Sequence, residues 1–523
     1  MKINEIFEND LTKNIDEVII NSTKLDFAKL INEFSFTDCV LENLLKFFSF
    51  YNSQLEYPKY NAVLISGEIE TGKTYFLKML SLLLDNSLEI NNETPFNYIK
   101  KLGKINDNYL NNIEINQNIS RDVIFIRSLY YKNDSFLHWL YNGFNGLLGF
   151  SNLLPHVAYF EKQLCIKNLY DDFKLEFKRI NGNDWEKVRN EFYFIYQDII
   201  DCVINIGFLN NEEAEKWFNI ILENYEFSVD EFCEEINSYC ENKGNKHHIL
   251  FLIDDIELFY KEFIIEFQEI INILSNKCKG NVFIIATTQL TLKQIDSMLF
   301  ELKIANFTNI FATELFFNYN NIIEATKLKL LSKKNVFEYE LENDFNNIEL
   351  FNSVYFDDFK IHKNDFVKCY PFLNYQLELF IEILKNYYNS AKSFITWGEE
   401  RYNLLNYCQK VLKEFIDNEY GSIISFNLFF NVLWFVDGHN RIFYIIKENK
   451  KITEFDLEVL KVIFMLDYSD KIEATSKNIT TLMIQNINEN PFELNKKIDK
   501  SLERLMKENL IEKQNFYHFK NNY

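Results

Sequence analysis

Hydrophobic positions along the chain switch between two periods. Leu41, Leu44, Leu45, Phe48 and Tyr51 recur at helical spacing behind a capping Thr37, which predicts an amphipathic helix within an N-terminal helical segment, residues 1–57. Asn61 to Ser66 is a short apolar run of strand type that leads into Gly67, and Thr74 to Leu83 returns to the helical period. The Asn-rich stretch 84–120 predicts loops and short helices. Further strands are expected at Val123–Ile126, Ile249–Ile253, Val282–Ala286 and near Ile310 to Phe316. Apolar strands separated by helical stretches predict a mostly parallel sheet in an α/β domain. That domain takes residues 58–134 and 246–319. Residues 135–245 are helical in period and form an insertion, with Trp139, Trp185 and Trp217 as core anchors. Residues 320–450 are again helical and form a lid. In 451–523, helices are expected at Phe455–Leu466, Lys477–Ile487 and Phe492–Leu510, then a hairpin over Ile511–Phe519. Three helices and a wing describe a winged helix.

Composition sharpens this outline. The 523 residues include only 13 Gly and 5 Pro, against 17% aromatics. Few breakers favour long helices and exclude a β-rich sandwich with many tight turns. The net charge of −22 opposes non-specific nucleic-acid binding by the whole surface. The eight cysteines show no CxxC pair and no zinc pattern with the seven histidines, and are expected to be buried free thiols in a reducing cytoplasm. Met1-Lys2-Ile3-Asn4-Glu5 lacks a signal-peptide core, and no apolar run reaches the roughly 18 residues of a membrane span. A cytoplasmic protein without membrane contact is expected.

The chemistry concentrates in Gly67-Glu68-Ile69-Glu70-Thr71-Gly72-Lys73-Thr74, a complete G-x-x-x-x-G-K-[ST] match. Glycines let the backbone curl so that its N–H groups point at phosphate oxygens. Lys73 reaches the β- and γ-phosphates, Thr74 offers a hydroxyl to Mg²⁺, and the helix beginning there adds its positive end. With glycine this scarce, a chance match is hard to produce. ATP and Mg²⁺ are the expected ligands. Glu68 and Glu70 are odd beside a triphosphate: either they face solvent or they weaken binding. The partner element is Ile249 to Ile253 followed by Asp254-Asp255, with Asp254 expected to hold Mg²⁺ and Asp255 to polarise the attacking water. An ordinary helix cap is the bland alternative. In Thr287-Thr288-Gln289, Thr288 is a candidate to sense the γ-phosphate or orient water, or is simply a strand end. Arg401 is a candidate nucleotide contact from the lid, with an intrahelical ion pair as the alternative. His247-His248 reads as a loop pair, not a ligand set.

On the last long helix, Lys496, Lys500, Arg504 and Lys507 fall on one stripe opposite Leu494, Ile498, Leu502 and Leu505. Glu493, Asp499 and Glu503 interrupt that stripe, and residues 451–523 carry 11 basic and 12 acidic groups, net −1. Weak DNA contact competes here with protein docking or a solvated face.

With these motifs placed, the chain resembles the BREX (bacteriophage exclusion) P-loop ATPases of the BrxC/PglY family. The resemblance runs through Ile6 to Thr12, Ile15 to Ile19, the Gly67–Thr74 loop with its leading strand and Tyr75 to Leu80, Val157 to Glu161, and Trp185 to Arg189. It continues through Cys278 to Gln289, Gly398 to Arg401, and the Leu457 to Phe519 module. It implies an AAA-type ATPase of a cytoplasmic phage-defence complex, working beside a DNA methyltransferase and other system proteins, with a homo-oligomer left as an open alternative to a monomer. Members of the family are much longer, so the chain corresponds to an N-terminal half. Two departures bear on catalysis. The family's Asp-Glu pair is Asp254-Asp255 here, and an Arg-Phe of the family falls near Asn306-Phe307, where the Arg is missing. Both imply slow hydrolysis more than lost binding. An initiator- or loader-like DNA-associated ATPase, or a non-hydrolysing nucleotide-dependent scaffold, are the competing readings.

Overall fold

Five apolar runs become the strands of one sheet in the computed structural model, which describes residues 1–11, 27–56, 58–59, 61–111, 113, 119–128, 135–244, 246–256, 261–301, 310–346, 348–390, 404–433 and 448–520. The strands are β1 (Ala62–Gly67), β2 (Ser120–Arg127), β3 (His247–Asp254), β4 (Val282–Thr288) and β5 (Phe311–Phe317), in the order β2-β3-β4-β1-β5 and parallel throughout. All their C-terminal ends therefore lie along one edge.

The three central strands β3, β4 and β1 are buried on both faces, which is why they read as near-continuous apolar runs, while the edge strands β2 and β5 are only partly buried. Ala62, Leu64, Ile249, Phe251, Ile284 and Ala286 share one core with Phe136, Phe232, Ile264 and Phe267 from helices on that face. The alternate residues meet the helices Asp38–Glu56 and Lys73–Leu84: Tyr51 lies 4.9 Å from Phe283, and Phe76 lies 5.0 Å from Phe317, centroid to centroid.

Two strands start earlier than their apolar runs suggest. Ser120-Arg121-Asp122 pairs in register with His247-His248-Ile249, so the two histidines are buried strand residues rather than a loop pair. Their polarity is absorbed by a network. His247 contacts Asp122 at 3.0 Å and Ser120 at 2.7 Å, and Tyr239 donates to Asp122 at 2.5 Å. His248 Nδ1 lies 2.8 Å from the Tyr51 hydroxyl, which also accepts from Arg121 Nε at 3.1 Å.

The insertion contains seven α-helices and one short 3-10 helix among the described residues, from Phe136–Leu147 to Val229–Lys243. Its own core holds Phe160, Phe173, Phe177, Trp185 and Phe218. Within that core the Glu161 carboxylate, fully buried, accepts from Trp185 Nε1 (2.7 Å), Tyr170 Oη (2.9 Å), Arg189 Nη1 (3.0 Å) and the Ser151 backbone N–H (2.6 Å). A buried acid needs this many donors to be tolerated. The 157–161 and 185–189 stretches thus meet at one carboxylate. Trp139 and Trp185 are buried, whereas Trp217 is half-buried.

The chain divides into two units, Asp26–Asn318 and Met1–Leu25 with Tyr319–Tyr523. The first 57 residues are therefore shared between them. In the second unit, Ile3 N–H donates to Asn418 O (3.0 Å), Tyr420 N–H to Met1 O (2.9 Å) and Glu8 N–H to Ser332 O (3.0 Å). The C-terminal helices Glu454–Leu466, Ser476–Leu482 and Pro491–Lys507 are followed by an antiparallel ribbon of β6 (Ile511–Lys513) and β7 (Tyr517–Phe519). They share one core with residues 323–432, in which Phe380, Phe429, Leu460, Ile463 and Leu502 are buried. Six of the eight cysteines are buried; Cys39 is half-buried and Cys165 exposed. Among the described residues, no helix is long and apolar enough to cross a membrane.

Candidate functional site

The loop after β1 begins at a residue that only glycine can supply. Gly67 has φ 144°, and a Cβ there would stand 2.0 Å from the carbonyl oxygen of Phe317 on β5. The loop then passes through Glu70, held at φ 61°, and reaches Gly72 at φ 98°, which directly precedes the helix Lys73–Leu84. Thr71 Oγ1 ties the loop by donating to Glu68 O at 2.9 Å. The result is a tight turn at a helix N-terminus, where backbone N–H groups without intrahelical partners collect.

Lys73 lies inside this turn. Its ammonium donates to the carbonyl oxygens of Gly67 (2.7 Å) and Glu68 (2.6 Å) and is largely buried. Burial lowers its pKa to about 8, against the opposing pull of Asp255, Asp254 and Glu68. Glu68 thus adds its charge to the lysine's surroundings.

Because β4 lies between β1 and β3, the acid at the end of β3 must reach across β4's end to meet the loop. It does so with help from β4. Asp254 Oδ1 accepts from Thr74 Oγ1 at 2.8 Å and from Thr287 Oγ1 at 2.9 Å. Burial raises the Asp254 pKa; the two hydroxyls oppose that. Asp255 follows at φ 62°, in the left-handed region that Asp tolerates better than most residues. Its backbone is pinned on both sides: its N–H donates to Thr287 Oγ1 (2.7 Å), and its carbonyl accepts from Ser128 Oγ (2.5 Å).

The structure therefore brings Gly67–Thr74, Asp254 and Asp255 to one sheet edge. Thr288 is buried, in register with Ser66 of β1, and its Oγ1 accepts from Leu290 N–H at 3.4 Å; the hydroxyl on the acids is that of Thr287. Arg401 lies outside the described residues, as do the resemblance stretches at 15–19 and 398–401 and the pair Asn306-Phe307. Three site residues carried no motif. Arg127 ends β2 in register with Asp254, and its charge acts on both Asp254 and Lys78. Ser128 follows it. Glu314 on β5 accepts from Ser66 Oγ and, at 3.0 Å, from the Leu292 backbone N–H. The usable signal for Arg127 and Ser128 was their position, the first polar residues after an apolar strand.

Chemically, the site offers the N-terminus of the helix Lys73–Leu84 and one ammonium for an anion. Beside these lie a hydroxyl and a carboxylate 2.8 Å apart, hard oxygen donors of the kind Mg²⁺ takes. The chain matches no protein-family model, and no significant match to it exists among solved structures.

Proposed function

We propose that the chain is a P-loop protein that binds ATP with Mg²⁺ in the crevice at the C-terminal ends of β1, β3 and β4. The observation that carries this reading is the contact of Thr74 with Asp254, which joins the glycine loop to an acid 180 residues away. The crevice also lies where connections leave β1 and β4 toward opposite ends of the sheet, the place where open α/β sheets take ligands. The residues fit the ligand. Gly67 and Gly72 take backbone conformations that favour glycine, Lys73 supplies a cation, and Thr74 and Asp254 would hold the metal. When bound, Mg²⁺ neutralises charge on the phosphates. Lys73 exchanges its carbonyl partners for phosphate oxygens, and Thr287 orients Asp254 and fixes the peptide that carries Asp255. Asp255 takes the water-polarising position, where its side chain is one methylene shorter than Glu; hydrolysis by the isolated chain is accordingly slow.

The test is thermal stabilisation by ATP–Mg²⁺. Lys73→Ala is expected to abolish it in a chain that still folds, each protein being compared with its own unliganded melting profile. Equal stabilisation of the variant overturns the reading.

The wider role proposed is a component of a BREX-type phage-defence complex, cytoplasmic, oligomeric, and paired with a DNA methyltransferase. Its support is the ordered set of resembling stretches. Co-purification of a methyltransferase with the tagged chain from its native cells tests it, and repeated absence of that partner refutes it. In this reading the last three helices and the β6–β7 ribbon act as a winged helix. Protein docking suits that module better than DNA. Arg504 is committed to the buried Asp456 through Nε (2.9 Å) and Nη2 (2.6 Å), which removes one of four cations from the basic stripe, and the exposed Glu493 beside Lys496 (2.8 Å) offsets the charge of a second.

A further inference from the structure

The sheet unit holds a cavity of about 840 Å³ among the helices of its insertion, and none of its lining residues belongs to the Gly67–Asp255 site. Its two walls differ. On one side the helix Asn211–Asn224 presents Trp217 and Ile220, the latter 63% exposed. On the other side the helix Val229–Lys243 turns Glu231, Glu234 and Glu235 toward the space, at i, i+3 and i+4. Aromatic rings line the space between them: Tyr159 lies 4.9 Å from Tyr225, and Tyr141 stacks on Phe227 at 4.0 Å. The cavity already accommodates one ammonium of the chain's own. Lys162 Nζ donates to Glu235 Oε2 (2.5 Å) and Tyr141 Oη (3.1 Å) and lies 4.5 Å from the Tyr141 ring centroid. Cations over aromatic faces beside carboxylates are favourable, more so when desolvated. The surrounding field has the same sign: residues 135–244 carry nine basic and nineteen acidic side chains, net −10 of the chain's −22.

We propose that this groove docks a lysine- or arginine-rich amphipathic segment of a partner protein. Its apolar face would pack on Trp217 and Ile220, and its cations would lie over the tyrosine rings against Glu226 and Glu234. A neutral apolar partner would desolvate these carboxylates without a counter-charge, and a nucleic acid would be repelled by them. Charge complementarity therefore selects the basic segment.

The full chain is titrated, by fluorescence anisotropy, with a labelled amphipathic Leu/Lys helix and with the same helix carrying Glu in place of Lys. The Lys helix is expected to bind and the Glu helix not to, with affinity falling as salt rises. The exposed double reversal Glu226→Lys/Glu234→Lys is expected to weaken binding by about tenfold. Ile220→Ser is expected to weaken it by about threefold, because apolar burial is lost. Glu212→Lys/Glu215→Lys, an equal change of charge on the opposite face of the helix Asn211–Asn224, should leave it unchanged. Unaltered binding by the groove reversal, equal weakening by the distal reversal, or equal binding of the Glu helix each overturns the proposal.

Discussion

Replacing Gly67 by Ala should break the sheet and the site together, and the cost follows from what the new Cβ would meet. The added Cβ would lie 2.0 Å from the carbonyl oxygen of Phe317, 2.9 Å from its carbonyl carbon and 3.2 Å from its Cα. An ordinary carbon–oxygen contact is about 3.3 Å, so β1 and β5 must part by more than about 1 Å at this point. All three neighbours are backbone, so no side chain can rotate away. Gly67 and Phe317 are register partners, and the movement pulls at the end of their ladder. Overpacking of this kind costs about 1–3 kcal/mol. Holding a non-glycine residue at φ 144° adds about 1–3 kcal/mol more. A loss of about 2–6 kcal/mol is expected in the sheet unit. Because the chain has two units, a single melting temperature would mix them. Hydrogen exchange of peptides covering β1 and β5 reads the sheet unit alone and should accelerate at least roughly thirtyfold. Peptides covering Glu454–Leu466 should not change. Gly103→Ala is the control: its φ is 63°, but no atom lies within 4 Å of the added Cβ, so only about 1 kcal/mol of backbone strain is expected. If β1 exchanges within threefold of wild type in Gly67→Ala, the close approach to β5 is wrong.

Three further outcomes follow from buried polar groups. Thr287→Val removes a donor to Asp254 and the acceptor of the Asp255 N–H; a loss of about 1–3 kcal/mol in urea denaturation is expected, with weaker ATP–Mg²⁺ stabilisation, whereas Thr288→Val should affect binding less. Arg504→Met strips the bidentate partner from Asp456, whose side chain is fully buried, and should cost about 2 kcal/mol; a cycle with Asp456→Asn should show strong coupling, and additive effects would refute the pairing. His248 gives a pH signature. Burial lowers its pKa to about 4 from 6.5, so the folded chain holds it neutral while the unfolded chain takes up a proton. The stability it contributes is complete above about pH 6.5 and is lost as pH falls toward 4, by about 3 kcal/mol in all. His248→Gln should flatten that limb, and an unchanged acid limb sinks the assignment.

Much of the sheet was readable because strands buried on both faces leave uninterrupted apolar runs. The first residues of β2 and β3 were not, because Ser120-Arg121-Asp122 and His247-His248 look polar in isolation and are stable in strands only through each other. Periodicity also carries no address. Nothing local says that Ile3 pairs with Asn418 while Asp38–Glu56 packs on the sheet, so the first 57 residues read as one segment. Trp217 illustrates a related limit: an aromatic at helical spacing signals a packed face but does not tell a core from a groove wall.

The site divides along the same line. Gly67 to Thr74 and Asp254-Asp255 were visible because their chemistry is written in consecutive residues. Thr287 was not, because its role depends on sheet order. With β4 between β1 and β3, the Thr74 hydroxyl and the Asp254 carboxylate meet over the end of β4, and whichever β4 side chain points to that side must satisfy the acid. Successive strand residues point to opposite faces, so a shift of one position exchanges Thr287 for Thr288. The register Ile253↔Ala286 puts Thr287 beside Asp254, and Leu64↔Ala286 puts Thr288 beside Ser66. The same register brings Arg127 opposite Asp254. Two hydroxyls, one from β4 and one from the helix after β1, thus donate to one carboxylate, and the end of β2 adds a charge. Only the order and register of the strands, fixed by long-range packing, decide which groups those are.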